Sequence, residues 1–209
     1  IGKPNNSTTA VDISLPVDGG NDYLVGNPFP SALDANDFIT DNPHIDGTLL
    51  FWEHWGGGTH FLSQYQGGYG MYNLSGGTPA VSHPLVSQTG TGTKIPERYV
   101  PVGQGFFVVA NTTGNIEFKN SQRNFVKEGG SSVFLIADND GKAAQNNTTD
   151  VQPDDTVYDL EDTRTKFRFG FDAPSGLHRQ LLLTLDQNTT YDYDRGYDGA
   201  INDIQGDDM

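Results

Sequence analysis

The clearest pattern along the chain is a series of short segments in which apolar residues alternate with polar ones or form brief runs. These runs are too short for helices, and their β-branched and aromatic content favours strands. Clusters of Gly, Pro, Asn and Asp separate them, as expected for turns. The predicted strands are Val11–Leu15, Tyr23–Gly26, Gly47–Trp55, Gly67–Leu74, Phe106–Ala110, Asn115–Phe118, Ser132–Ala137, Lys166–Phe171 and His178–Leu185.

We place residues 102–119 at the centre of the predicted fold. Phe106–Ala110 is an unbroken apolar run, which predicts a strand that is buried on both faces. A turn cluster at residues 111–114 and the alternating segment Asn115–Phe118 follow it. The sequence therefore predicts a central β-hairpin.

One segment is typical of a helix. Ser31 with Asp34 three residues later resembles a capping box, which predicts a short helix near residues 32–39. Asp34 and Asp37 then serve as capping and surface charges. Many short strands and a single short helix predict an all-β protein, a jelly-roll-like antiparallel β-sandwich. We expect one domain over residues 1–209, with a division near residue 130 as the alternative, and exposed loops at residues 78–97 and 138–156.

Composition limits the classes of partner. The formal net charge of the 209 residues is -15, which disfavours nucleic acid and anionic membrane surfaces because both would repel the chain. No run approaches the roughly 18 apolar residues of a membrane span, so no membrane insertion is predicted. The absence of cysteine excludes a disulfide framework and thiolate chemistry. The excess of acidic residues is compatible with cation binding. The alternative interpretation is that these residues form a solvated acidic surface.

The acidic tail is the best metal candidate. Its carboxylates fall at positions 1, 3, 7 and 12 of a loop, a spacing of hard oxygen ligands that can wrap Ca²⁺; they are Asp192, Asp194, Asp198 and Asp203. No glycine stands at the sixth position, so the match to an EF-hand loop is incomplete, and a solvated acidic loop is the alternative. A weaker calcium candidate consists of Asp138, Asp140 and Asp150.

Aromatic residues around the third predicted strand form a candidate glycan site. Sugars stack on exposed rings while polar neighbours bind their hydroxyls, and the candidate residues are Trp55, Tyr65, Tyr69 and His60. Because side chains alternate along a strand, Trp52 and His54 share one face while Glu53 and Trp55 share the other. One Trp is therefore expected in the core and the other at the surface, and core packing of most of the set is the alternative.

Catalysis has weak support in the sequence. There is no Gly-x-Ser-x-Gly, no His-Glu-x-x-His and no phosphate loop. Glu53 with His54 and His60 could form the site of a polysaccharide-active enzyme. Arg123 and Arg179 lie in strand-like segments, and we expect them to pair with buried carboxylates and stabilise the sandwich.

Several motifs occur in a specific order, including YLVGNPFPSALDANDFI, GTLLFWEHW, GGYGMYNLSGG, VPVGQGFFVVA, IEFKNSQR and HRQLLLTLDQNTTYDYDRGYDG. Over residues 23–199 the chain resembles a module of large secreted surface proteins of Bacteroidota, which commonly lies ahead of a type IX secretion sorting domain. The resemblance implies an extracellular, cell-surface β-sandwich that is a fragment of a longer, multidomain parent. Asp155-Thr156-Val157 also resembles the O-glycosylation acceptor pattern of that phylum, which makes Thr156 a candidate acceptor.

The sequence is compatible with three functions. The first is a non-enzymatic structural or adhesive module, stabilised by Ca²⁺, whose partners are neighbouring domains or neighbouring copies. The second is a carbohydrate-binding module, and the third is a polysaccharide-active enzyme domain. An adhesive module should expose an apolar patch or a sheet edge, a glycan binder should show coplanar exposed rings, and an enzyme needs a pocket in which carboxylates or histidines converge.

Overall fold

A computed structural model of the chain describes residues 4–6, 10–58, 61–83, 85–126, 162–174, 176–201 and 204. These residues form twelve strands, one α-helix and two 3-10 helices. The strands are β1 Ile13–Val17, β2 Asn21–Gly26, β3 Ala32–Asp34, β4 Leu49–Gly56, β5 Gln66–Asn73, β6 Gly76–Thr78, β7 Tyr99–Val100, β8 Gly105–Ala110, β9 Gly114–Phe118, β10 Arg123–Asn124, β11 Lys166–Asp172 and β12 His178–Thr184. The helices are α1 Ala35–Asp41 and the 3-10 turns Leu62–Gln64 and Asn120–Gln122.

All the strand pairs between these elements are antiparallel, in four sheets. The largest has the order β2-β8-β4-β5-β6, and the others are β1-β9, β10-β3-β7 and β11-β12. The prediction of an all-β, antiparallel sandwich is confirmed, while the jelly-roll strand order stays a prediction. The predicted strand Ser132–Ala137 and the predicted loop at 138–156 lie outside the described residues.

The core lies between the five-stranded sheet, helix α1 and the β1-β9 pair. Phe38 of α1 contacts Phe106 of β8 edge to face at 5.5 Å between ring centroids, and it contacts Phe118 of β9 at 5.1 Å. Phe51 of β4 packs on Phe106 at 5.6 Å. Aromatic pairs at these separations bury large apolar areas, which explains how a glycine-rich chain builds a core. The short helix thus holds the two sheets together.

The predicted central hairpin is wrong in its pairing. Both strands exist, but β8 pairs with β2 and β4, whereas β9 pairs with β1 in a different sheet. The predicted burial of β8 on both faces is also wrong. Phe106, Val108 and Ala110 face the core, while Phe107 is only half-buried on the outer face of the sheet. Residues 105–118 are therefore a corner at which the chain passes from one sheet to another.

The predicted helix near residues 32–39 begins and ends later than expected. Residues 32–34 form β3, which pairs with β7 and β10, and the helix then spans Ala35–Asp41. Asp34, not Ser31, is the N-cap, because its carboxylate accepts hydrogen bonds from the backbone N–H groups of Asn36 and Asp37. Strand pairing with β7 competes with helix formation at residues 32–34.

The loop at residues 78–97, predicted to be exposed, is largely packed against the sheet. Ala80, Val81 and Ser82 are buried. The close contact between this loop and strand β5 depends on a glycine of β5. A Cβ on Gly68 of β5 would lie 1.8 Å from the carbonyl oxygen of Val81, so only glycine lets this loop approach the strand. The loop therefore covers part of strands β4 and β5 in the five-stranded sheet, where it contacts Glu53 and Gly68.

Candidate interaction surface

The most unusual feature of the fold is the orientation of the β11-β12 hairpin. Phe167 pairs with Leu183 and Phe169 with Leu181, so these side chains share one face. That face points to solvent: Phe169 is 54% exposed and Leu181 is 65% exposed. We call it the hairpin apolar face; its members are Phe167, Phe169, Phe171, Leu181, Leu183 and Leu185.

The opposite face of the hairpin is mostly polar, with Leu182 as its apolar member, and it packs on the rest of the protein along β12, whereas β11 is exposed apart from Lys166. Arg168 of β11 donates from Nη1 to the carbonyl oxygen of Gly77 at 2.9 Å, and Thr184 of β12 donates from Oγ1 to the carbonyl oxygen of Ser75 at 2.8 Å. The hairpin thus lies across β6 with hydrogen-bonding side chains inward. This is the reverse of the usual arrangement, in which the apolar face of a sheet covers the core.

Both ends of the hairpin are fixed. At the turn, Ala173 and Leu177 form a small buried cluster with Val81 of the packed loop. At the open end, Arg164 bonds to Asp162 at 2.6 Å, to Asp186 at 2.6 Å and to the carbonyl oxygen of Leu74 at 2.7 Å. The hairpin is therefore held at a defined position rather than attached by its strands alone.

At the open end of the hairpin, the Arg164 guanidinium shifts the pKa values of the two carboxyl groups that it binds. Its hydrogen bonds hold the pKa of the Asp162 carboxyl well below its usual range. The pKa of Asp186 is also lowered, first by the backbone N–H of Asn188 and then by Arg164. Reciprocally, Asp162 raises the pKa of Arg164. The network is a charge-assisted clasp between the hairpin and the loop after β5.

A cleft of about 730 Å³ runs between the hairpin and β6-β7. Arg98, Arg164 and Lys166 line it, yet each is paired with a carboxylate. Arg98 makes a two-pronged ion pair with the buried Asp34, with Nη2 and Oδ2 2.7 Å apart. Arg168 also lines the cleft, and its guanidinium donates to neutral acceptors, the carbonyl oxygen of Gly77 and the side-chain oxygen of Gln180.

The aromatic residues near β4 gather on the outer face of the five-stranded sheet. Tyr65 stacks on His54 at 4.4 Å and on Trp52 at 6.1 Å, and Trp52 meets Tyr69 edge to face at 4.8 Å. Trp52 is the exposed Trp, whereas Trp55, the predicted glycan contact, lies on the other side of the strand. There, Gly90 approaches the Trp55 indole so closely that a Cβ on it would be 2.6 Å from Nε1. His60 lies outside the described residues.

The Glu53 carboxylate binds backbone groups of the packed loop and therefore has a structural role. It is buried on the inner face of β4, where its carboxylate accepts hydrogen bonds from the backbone N–H groups of Thr93 and Lys94, each at 3.2 Å. His54 points to the opposite face of the same strand. Glu53 and His54, two of the three candidate catalytic residues, therefore lie on opposite sides of the sheet.

The acidic tail is a compact turn in which carboxylates bind the local backbone. Asp194 accepts hydrogen bonds from the N–H and hydroxyl of Thr190, and Asp198 accepts from the N–H of Asp194 at 2.7 Å. Within the described part of the chain, no group of three or more His, Cys, Asp or Glu residues is placed to hold a metal ion. Four of the calcium candidates, Asp138, Asp140, Asp150 and Asp203, and the glycosylation candidate Thr156 lie outside that part.

Arg123, one of the two arginines expected to pair with buried carboxylates, binds neutral acceptors instead. Arg123 donates to Ser31, Asn6 and Asn120, and its guanidinium lies over the Phe29 ring at 5.5 Å. Two arginines that the sequence did not single out, Arg98 and Arg164, pair with the buried carboxylates of Asp34 and Asp186. Arg98 follows a Pro-rich loop rather than lying in an apolar run, so the sequence pattern carried no signal for its role. The strict alternation of Lys166–Phe171 did predict β11, although it could not say which face would be covered.

These observations define an all-β protein whose best candidate site is an exposed apolar sheet surface. Residues 1–208 match the family model described as a domain of unknown function, DUF8693, and the chain belongs to that family. No curated protein and no solved structure matched the chain. No helix of the described residues is long and apolar enough to cross a membrane.

Proposed function

We propose that this protein is a non-enzymatic structural or adhesive module of an extracellular surface protein, and that it docks to a neighbouring β domain through the hairpin apolar face. The single observation that carries the proposal is the inverted hairpin: six large apolar side chains face solvent while the polar face is fixed to the body. Exposed apolar patches of several hundred Å² on soluble proteins mark interaction sites.

The carbohydrate-binding alternative has less support in the geometry. Trp52 and His54 both stack on Tyr65, so one face of each of these two rings is used within the protein. Trp52 and Tyr69 meet edge to face, so these two rings do not form the coplanar platform on which sugars stack. The polysaccharide-active enzyme also has less support, because Glu53 and His54 lie on opposite faces of β4.

Hydroxyl-radical footprinting of dilute protein tests whether this face is available for docking. We expect oxidation of Phe167, Phe169 and Phe171, which are about half exposed, at rates clearly measurable but below that of Phe125, which is 93% exposed. The buried Phe106, 1% exposed, serves as the protected reference. If the three hairpin phenylalanines were as protected as Phe106 in monomeric protein, the face would already be covered and the docking proposal would fail.

A further inference from the structure

The hairpin apolar face consists of two parallel rows of different shape. Phe167, Phe169 and Phe171 form a row of rings along β11. Leucines form the second row along and just beyond β12; they are Leu181, Leu183 and Leu185. Each strand has seven residues, so the rows have nearly equal length.

Two copies of such a face fit each other by a two-fold rotation. If the axis runs parallel to the strands in the plane between the copies, the β11 of each copy lies over the β12 of the other. Phe167 and Phe169 of each copy then pack on Leu183 and Leu181 of the other, so that large apolar side chains meet smaller ones, while Phe171 meets Arg179. Face-to-face packing of sheets about 10 Å apart is the ordinary arrangement of a β-sandwich.

The exposed area of the hairpin apolar face is also large enough for a dimer interface. A phenylalanine offers about 200 Å² of surface, so three rings at about half exposure give about 300 Å². The three leucines, each about half exposed or more, add a similar amount. Two faces together therefore bury about 1,200 Å², which is at the lower end of the range for specific protein interfaces.

The net charge of the chain determines how the salt concentration affects this association. The chain carries a formal net charge of -15, so two copies repel each other at low ionic strength. The contact itself is apolar, and salt screens the repulsion without weakening the contact. Association should therefore strengthen as salt is raised, opposite to the behaviour of an interface that is held by ion pairs.

We propose that the partner is a second copy of this chain, and that the hairpin apolar faces of the two copies form a two-fold, sheet-on-sheet interface. The inference rests on the proposed docking function and names its partner. It requires no rearrangement, because the hairpin is already fixed by Arg164 at one end and by the Val81 cluster at the other.

Sedimentation velocity over a concentration series from about 1 to about 500 µM tests the proposal, because interfaces of this size span weak to tight affinities. We expect a species of twice 22.7 kDa to grow with concentration, and more strongly at about 500 mM than at about 50 mM NaCl. Phe169→Thr and Leu181→Thr keep strand propensity and remove the apolar contact. Each should weaken association by about tenfold or more.

Leu24→Thr is the matched control. Leu24 is 66% exposed on β2, almost the same exposure as Leu181, but it lies on the five-stranded sheet away from the hairpin. It should leave the dimer unchanged. Circular dichroism of all three variants checks that each is folded.

The outcomes separate the two proposals. A monomer over the whole series, or a dimer that survives Phe169→Thr and Leu181→Thr or is lost in Leu24→Thr, overturns the homodimer. If the footprinted phenylalanines are accessible in that monomer, docking to a different domain stands. If they are protected in the monomer, both proposals fail, because the face is then covered within the same chain.

Discussion

The guanidinium of Arg195 donates a hydrogen bond to the carbonyl oxygen of Ile39 in the last turn of α1, at 3.1 Å. It also donates to the carbonyl oxygens of Ile45 at 3.1 Å and of Asn42, the C-cap residue, at 3.4 Å. The last carbonyls of a helix have no partner within the helix, and a cation there also opposes the negative end of its dipole. The tail residue Arg195 thus closes the helix that holds the core together.

Arg195→Ala should lower the free energy of unfolding by about 2 to 3 kcal/mol, because it leaves several partly buried carbonyls without a charged donor. Arg195→Lys should recover part of the loss, since a single ammonium keeps the charge but cannot span three acceptors. Urea unfolding followed by circular dichroism measures both. Equal stability of Arg195→Ala and wild type would show that the tail does not stabilise the helix.

Tail glycines make this contact possible. Gly196 has φ +83°, and a Cβ on Gly47 would lie 2.4 Å from the Cα of Gly196. The two backbones therefore touch only because Gly47 lacks a side chain, while the positive φ of Gly196 also favours glycine. The Arg-Gly pair of the tail is explained by helix capping and close backbone approach.

Glu53 gives a second prediction, which concerns the packed loop. Glu53→Ala should reduce stability by about 2 to 4 kcal/mol, because two backbone N–H groups lose a charged acceptor in a buried site. Glu53→Gln keeps one acceptor oxygen and should lose less. Differential scanning calorimetry measures the change, and His54→Ala, on the opposite face of the same strand, is the control. A larger loss for His54→Ala would contradict the structural role of Glu53.

The sequence predicted most strands because alternation and short apolar runs are local signals, as at β4, β5, β11 and β12. It failed where a choice depended on distant residues. β8 and β9 are consecutive, but their partners, β2 and β1, lie about 80 to 105 residues earlier. Likewise, a period of two shows that a strand has two unlike faces without showing which one is covered. The exposed apolar face of β11-β12 and the ion pair of Asp34 with Arg98 follow only from tertiary packing.

The clasp at Arg164 predicts an acid-sensitive contribution to stability. The pKa values of Asp162 and Asp186 are lowered in the folded protein, so their contribution is fully present above the unfolded value of about 3.9. It is lost as the pH falls from there toward the lower folded pKa values. Arg164→Gln should therefore be less stable than wild type at pH 7 by about 1 to 3 kcal/mol, and this gap should narrow at about pH 3.

Urea unfolding of both proteins at the two pH values measures this gap. Lys94→Gln, which changes a cation outside the clasp, is the control for net charge and should show a small gap with little pH dependence. A gap between Arg164→Gln and wild type that widened toward acid pH would have the wrong sign, and it would mean that Arg164 does not favour the charged forms of these carboxylates.

Asp194 provides the test that separates calcium binding from turn chemistry in the tail. Its carboxylate accepts hydrogen bonds from both the N–H and the hydroxyl of Thr190, in the manner of a capping residue. Asp194→Ala should therefore cost about 1 kcal/mol, and it should cost the same in excess EDTA and in excess Ca²⁺. Asp194→Asn retains an acceptor oxygen and should be milder in both conditions.

Thermal melts of wild type and both variants, with EDTA and then with Ca²⁺ restored, check this expectation. Calcium at about 100 times its Kd would add about 2.7 kcal/mol to a protein that binds it only when folded, a shift of several degrees in Tm. We expect no such shift through Asp194, because its oxygens already have donors in the turn. A Ca²⁺-dependent rise in wild type that Asp194→Ala abolishes would instead mean that the turn rearranges around the ion, and the predicted tail site would then be correct.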